Sequence, residues 1–124
     1  MDLKNKQKIV KIIGNAETSL QKLEHNVSSY LAEGKTPSKS DMQLLRSIEH
    51  WLNILKTNQF AGDNIPKKYI PKELLHLPNL FRIELSQFWR MLYYITGDEV
   101  KVISVVFEIC DHPTYNKIFG YRKK

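Results

Sequence analysis

The chain has 124 residues, enough for one domain around one modest core, and its 42% hydrophobic and 26% charged residues exclude wholesale disorder. Nineteen Lys and Arg against thirteen Asp and Glu leave a net charge of +6, a balance found in proteins that meet phosphate backbones and also in small basic proteins that do not. One cysteine, Cys110, excludes an intramolecular disulfide framework and a multi-cysteine zinc site within one chain, so a buried filler in a cytoplasmic protein is expected.

Residues 8–13, K-I-V-K-I-I, are β-branched and closed by Gly14-Asn15, which predicts a first strand. The apolar run 9–13 is too short and too broken by Lys11 for a signal-peptide core, and no segment reaches membrane-spanning length, so no membrane association is expected. From Ala16 to Glu33, Leu20, Leu23, Val27, Tyr30 and Leu31 recur at three- and four-residue steps, predicting a helix that ends at Gly34. Lys35-Thr36-Pro37 breaks it. Ser38 with Asp41 three residues later resembles a capping box, and Met42, Leu45, Ile48, Leu52 and Leu55 form the stripe of a second helix, antiparallel to the first.

Residues 58–78 hold Gly62-Asp63, three prolines and two adjacent lysines, which predicts a long connection with at most a helical turn near 73–76. Such a loop is functional or a passive crossover, and Lys67, Lys68 and Lys72 are its candidate RNA contacts.

Three strands follow between Leu80 and Ile109. Phe81, Ile83 and Leu85 alternate with Arg82 and Glu84, and Trp89, Met91, Tyr93 and Ile95 alternate with Arg90, Leu92 and Tyr94. The turn at 96–99 leads into the nearly continuous apolar run 100–109, expected as a central strand. Ser86-Gln87 lacks the residues of a tight two-residue turn. A three-residue loop at 86–88 pairs Leu85 with Trp89, Glu84 with Arg90, Ile83 with Met91 and Arg82 with Leu92, whereas a two-residue loop would set Ile83 against Arg90 and bury a charge.

The order strand, helix, helix, long loop and three strands, together with residues 79–85 (N-L-F-R-I-E-L), 88–93 (F-W-R-M-L-Y) and the ending Asp111-His112 through Tyr115 to Phe119-Gly120-Tyr121, resembles the RelE/ParE superfamily of toxins from type II toxin-antitoxin systems. The resemblance is strongest from Ile65 to Arg122. It implies one α+β domain over residues 1–124: an N-terminal strand, an antiparallel helical hairpin and a three-stranded antiparallel segment completing a small sheet. RelE-like members cut messenger RNA in the ribosomal A site, ParE-like members poison DNA gyrase, and either kind is silenced by a cognate antitoxin. An inactive relative that only binds an antitoxin-like peptide is a third possibility. No cofactor is expected.

RNA cleavage without a metal needs the ribose 2′-OH deprotonated, charge on the phosphorane stabilised and the departing 5′-oxygen protonated. Arg90 matches the family's second-strand arginine and is the expected transition-state stabiliser, with an ion pair to Glu84 as its structural alternative. Arg82 is expected to hold a neighbouring phosphate, or merely to line a solvated face. His112 suits proton transfer near neutral pH, and Tyr115 either stacks on a base or donates a proton; a capping histidine and a rim-packing tyrosine are the bland readings. Glu84 is a further candidate base, weakened by the neighbouring arginine, and it stands where some relatives carry a lysine. Tyr121 and Arg122 begin an aromatic-basic tail suited to RNA. His25, His50 and His76 lack ligand spacing, so no metal is assigned.

Overall fold

The computed structural model describes residues 6–120; Tyr121 and Arg122 lie outside them. The first strand, β1 (Gln7–Ile12), directs Val10 and Ile12 to the main core and leaves Lys11 exposed. Gly14-Asn15, expected to close the strand, already belongs to the first helix, α1 (Gly14–Ala32). Tyr30 and Leu31 of its predicted stripe, in the last turn of α1, are exposed. Helix α2 (Lys39–Leu55) starts as its sequence predicts: the Ser38 hydroxyl accepts the Asp41 N–H at 3.0 Å, satisfying one of the donors that a helix start leaves unpaired. Its buried stripe is Leu44, Ile48 and Leu55.

The long connection contains a two-residue strand, β2 (Asp63–Asn64), and two 3-10 turns, Lys67–Tyr69 and Lys72–Leu74. Then come β3 (Leu80–Glu84), β4 (Arg90–Gly97), β5 (Lys101–Cys110) and a closing helix, α3 (His112–Ile118). The fold is α+β with three α-helices and five strands in the order β1-β5-β4-β3-β2, β1 running parallel to β5 and the other pairs antiparallel. The expected antiparallel segment of three strands is present as β3–β4–β5, and the small sheet it completes differs from the expected antiparallel one in two respects. The sheet is mixed, because the chain returns from the helical hairpin to lay β5 alongside β1 in the same direction. It is also wider by β2, whose Asp-Asn composition is unfavourable for a strand and carries no periodic signal. No helix among the described residues is long and apolar enough to cross a membrane.

The β3–β4 hairpin adopts the register that burial dictates. Glu84 faces Arg90, Ile83 faces Met91 and Arg82 faces Leu92, and the Leu85 N–H donates to the Trp89 carbonyl at 2.8 Å across a loop of residues 86–88. Gln87 and Phe88 take the left-handed conformation there, at φ 60° and 63°. The central position of β5, between β1 and β4, explains its nearly unbroken apolar run.

Both faces of the sheet are covered. On one, Ile83, Met91, Tyr93, Val106 and Ile109 meet Leu23, Leu44, Ile48 and Leu55 of α1 and α2. On the other, Leu80, Leu92 and Cys110 meet Ile65 of the long connection, Tyr115 of α3 and Phe119 just after it. A bulge separates the two patterns. Leu92 faces Glu108 but Tyr93 faces Val106, so Phe107 is the extra residue that lets both Val106 and Ile109 serve the helical face.

Candidate functional site

The site is built on the face opposite α1 and α2. Cross-strand pairing sets Glu84 beside Arg90 and Arg82 beside Leu92, so both arginines and the carboxylate leave a rigid hairpin on one side. Helix α3 closes over them. It begins one residue after β5 because Asp111 caps it, its carboxylate accepting the Thr114 N–H at 3.0 Å, while Pro113 occupies a first-turn position where the lost N–H does no harm. The four-residue step from Tyr115 to Phe119 then turns both rings toward the sheet, stacked 4.5 Å apart.

Both guanidiniums approach the Tyr115 ring. The Arg82 and Arg90 guanidinium carbons sit 5.9 and 5.7 Å from its ring centre, and Arg82 Nη1 donates to the phenol oxygen at 3.2 Å. That bond is the largest influence holding the Arg82 guanidinium above its ordinary pKa; burial opposes it, and Tyr115, Glu84 and Asp63 add further electrostatic support. Arg90 is nearly enclosed, its side chain 11% exposed, yet it is poorly paired. Nη1 donates to the Trp89 carbonyl at 3.2 Å, and Glu84, 60% exposed, approaches Nη2 only to 3.8 Å. Both arginines keep a buried Nε with no hydrogen-bond partner. A buried N–H without an acceptor is costly, and two on neighbouring cations leave the cluster short of anionic oxygen.

The structure thus gathers four of the predicted residues: Arg82, Glu84, Arg90 and Tyr115. Tyr115 is only 3% exposed, so its ring is buried against both cations and is not the open stacking surface that stacking on a base would require. His112 stands apart on the first turn of α3, exposed, with Nε2 3.1 Å from Asn116 Nδ2 and its ring 6.4 Å from Phe88. Cys110, across the sheet from Arg90, is buried as expected; burial first, then Glu108 and Asp111, push its thiol up to about 12 against the pull of Arg90, which leaves it un-ionised and unreactive.

Lys67, Lys68 and Lys72 are exposed on the two 3-10 turns. The first turn borders a groove of ≈ 250 Å³ lined by Asp63, Asn64, Ile65, Pro66 and Tyr69 together with Arg82 and Tyr115. Lys68 Nζ sits 5.0 Å over the Tyr69 ring, which is 51% exposed. Tyr69 escaped the sequence reading, although an aromatic directly after two lysines is a usable signal for RNA contact. Phe88 escaped it too: an exposed phenylalanine, held at a positive φ beside His112, reads from sequence as an ordinary loop residue. Among the described residues, no three or more His, Cys, Asp and Glu side chains gather as a metal-binding group. Comparison with family models, curated proteins and solved structures finds no match for this chain.

Proposed function

We propose that this chain is a RelE-like toxin, an endoribonuclease that cuts messenger RNA at the ribosome in the cytoplasm and is neutralised by a cognate antitoxin protein. The observation that carries the reading is the pair of under-satisfied guanidiniums held on one tyrosine. Arg82 and Arg90 are fixed by neighbouring strands, each has a buried Nε without an acceptor, and the carboxylate nearest Arg90 is a long 3.8 Å away. The accessible guanidinium N–H groups can donate to phosphodiester oxygens, and guanidinium bonds to a phosphorane strengthen as charge develops on it. The resemblance in residues 79–93 and 111–121 and the helical hairpin between β1 and the later strands support the RelE/ParE assignment.

In this reading the ribose 2′-oxygen attacks the adjacent phosphorus, the phosphorus–O5′ bond breaks, and the products are a 2′,3′-cyclic phosphate and a 5′-hydroxyl. Arg90 stabilises the phosphorane and Arg82 holds the neighbouring phosphate. Tyr115 is a positioning residue, its ring against both cations and its phenol oxygen accepting from Arg82. His112, exposed at the start of α3, serves one proton transfer, taking the proton from the 2′-hydroxyl or giving one to the leaving 5′-oxygen, and solvent water serves the other, so the proton lost by the 2′-hydroxyl is balanced by the one gained on the 5′-oxygen. Glu84 limits the positive charge beside Arg90 and is a poor base so close to a guanidinium.

The test is induction in cells of the wild type and the Arg90→Ala, His112→Ala double variant, with messenger RNA ends mapped by primer extension. New cuts inside translated codons are expected with the wild type and should be absent from the variant; a single Arg90→Lys change should reduce cutting by about 10²–10³. Cutting by the double variant at wild-type levels overturns the catalytic assignment. Growth arrest with intact messages would instead point to gyrase as the target.

A further inference from the structure

We infer that the groove between β2, the Lys67–Tyr69 turn and α3 holds one unpaired base of the RNA, with Tyr69 as its stacking surface and Asp63 as the group that reads its Watson–Crick edge. This rests on the RNA reading above and adds to it a place where sequence is read.

The groove has the dimensions of a subsite. At ≈ 250 Å³ it falls below the ~300–1,000 Å³ of pockets that enclose a whole small ligand, which suits a single planar ring. Its walls suit a base as well. The Tyr69 ring is half exposed, with the Lys68 ammonium 5.0 Å above it, and Ile65 and Pro66 add apolar surface. An accessible ring flanked by a cation is the usual platform for an unstacked base, the cation meeting the backbone phosphate.

Position ties the groove to the arginine pair. Arg82 lines it and also donates to Tyr115, so a strand whose base enters the groove passes its backbone along the cationic cluster. Asp63 distinguishes a base subsite from a plain phosphate site. It is the cross-strand partner of Arg82, it is exposed, and it lines the groove. A carboxylate there repels phosphate but accepts from N–H groups. Guanine offers two adjacent donors on its Watson–Crick edge, N1–H and the N2 amine, which match two carboxylate oxygens. Adenine and cytosine each offer one donor group, and uracil offers one flanked by repelling carbonyls, so guanine is the favoured occupant.

The backbone bearing Asp63 is pinned. The Gly62 N–H donates to Tyr93 Oη at 2.9 Å, that hydroxyl donates to the Gln59 carbonyl at 2.9 Å, and a Cβ on Gly62 would lie 2.9 Å from the Arg82 carbonyl oxygen. A reading group on so firmly held a strand keeps its geometry.

The experiment is fluorescence anisotropy of the purified full chain with two labelled hexanucleotides, U6 and U2GU3, carrying 2′-O-methyl at every ribose so that neither is cut. Wild type should bind the guanine-bearing strand about tenfold more tightly. Asp63→Asn should bring the two strands to equal affinity, and Tyr69→Ala should weaken the guanine strand roughly tenfold while Tyr69→Phe binds like the wild type. If wild type discriminates between the strands, or cuts RNA, while Tyr69→Ala and Asp63→Asn behave as wild type, the groove assignment is overturned and the nuclease reading stands. If wild type binds neither strand at low salt and cuts no message in cells, the RNA reading fails and takes the groove with it.

Discussion

On the helical face of the sheet, Met91 and Tyr93 are closed in by two helices of 19 and 17 residues; on the opposite face, Leu92 and Cys110 are closed in by the seven-residue α3 and the irregular connection. Met91 and Leu92 are adjacent, and each is 0% exposed. What differs is the cover. Long helices joined to each other bury a surface cooperatively, whereas a two-turn helix is expected to open locally at less than the global free energy. The arginines, Tyr115 and the groove all lie under the weaker cover. In the proposed function the helical face is the scaffold and the opposite face carries the site.

The sharpest way to break this comparison is to empty both faces in turn. Met91→Ala should cost about 3–5 kcal/mol and lower the midpoint of urea unfolding for the whole chain, because no element on that face can collapse into the cavity by itself. Leu92→Ala should cost less, about 2–3 kcal/mol, and hydrogen exchange should accelerate first in α3. Equal losses with uniform exchange would show that both faces melt as one unit.

Gly62→Ala probes the point where the faces are joined, since Tyr93 from the main core holds the β2 backbone. A methyl group 2.9 Å from the Arg82 carbonyl and the Tyr93 hydroxyl should cost about 1–3 kcal/mol, read as a lowered melting temperature.

Asp111 sharpens the comparison through pH. Its carboxyl is held below the ordinary value first by the Thr114 side chain and then by the Thr114 N–H. An acid whose folded pKa is depressed contributes stability that is present above its unfolded pKa, about 3.9, and is lost as the pH falls through the folded value. Asp111→Ala should therefore cost about 1 kcal/mol at neutral pH, mostly as fraying of α3, and the difference from wild type should shrink below about pH 4.

The smallest effect belongs to Glu108. Burial raises its pKa, only partly offset by the bond from Asn15 Nδ2 at 3.1 Å. The sign is opposite to that of Asp111. The folded chain carries the full penalty for the ionised carboxyl above its folded pKa, and the penalty fades as the pH falls through that value and is gone below the unfolded one. Glu108→Gln should gain less than about 1 kcal/mol at pH 7 and nothing near pH 3, measured by thermal melting across that range.

Much of this was legible in the chain. The Ser38 cap, the helical stripes, the loop at 86–88 and the hairpin register were readable because each depends on neighbouring residues: a hydroxyl three positions from an amide, a period of 3.6 or 2, or the cost of burying Arg90 under a slipped register. Cys110 as buried filler and Arg82, Glu84 and Arg90 on one face of the hairpin followed from the same local patterns, whereas His112, expected on one rim with Arg82, Arg90 and Tyr115, contacts Asn116 and Phe88 instead. What the sequence left undecided is non-local. Six β-branched and basic residues do not say that β1 runs parallel to β5, and Asp63-Asn64 does not announce a strand until Tyr93 reaches across to hold Gly62. Tyr115 reads as a rim tyrosine until α3 folds it down against two guanidiniums, and Tyr69 reads as a loop residue until its ring lines a groove with Arg82. Local periodicity encodes which side of an element is apolar; which distant surface covers that side is set only when the whole chain competes for the same buried area, and the candidate site lies where that competition places α3 and the long connection.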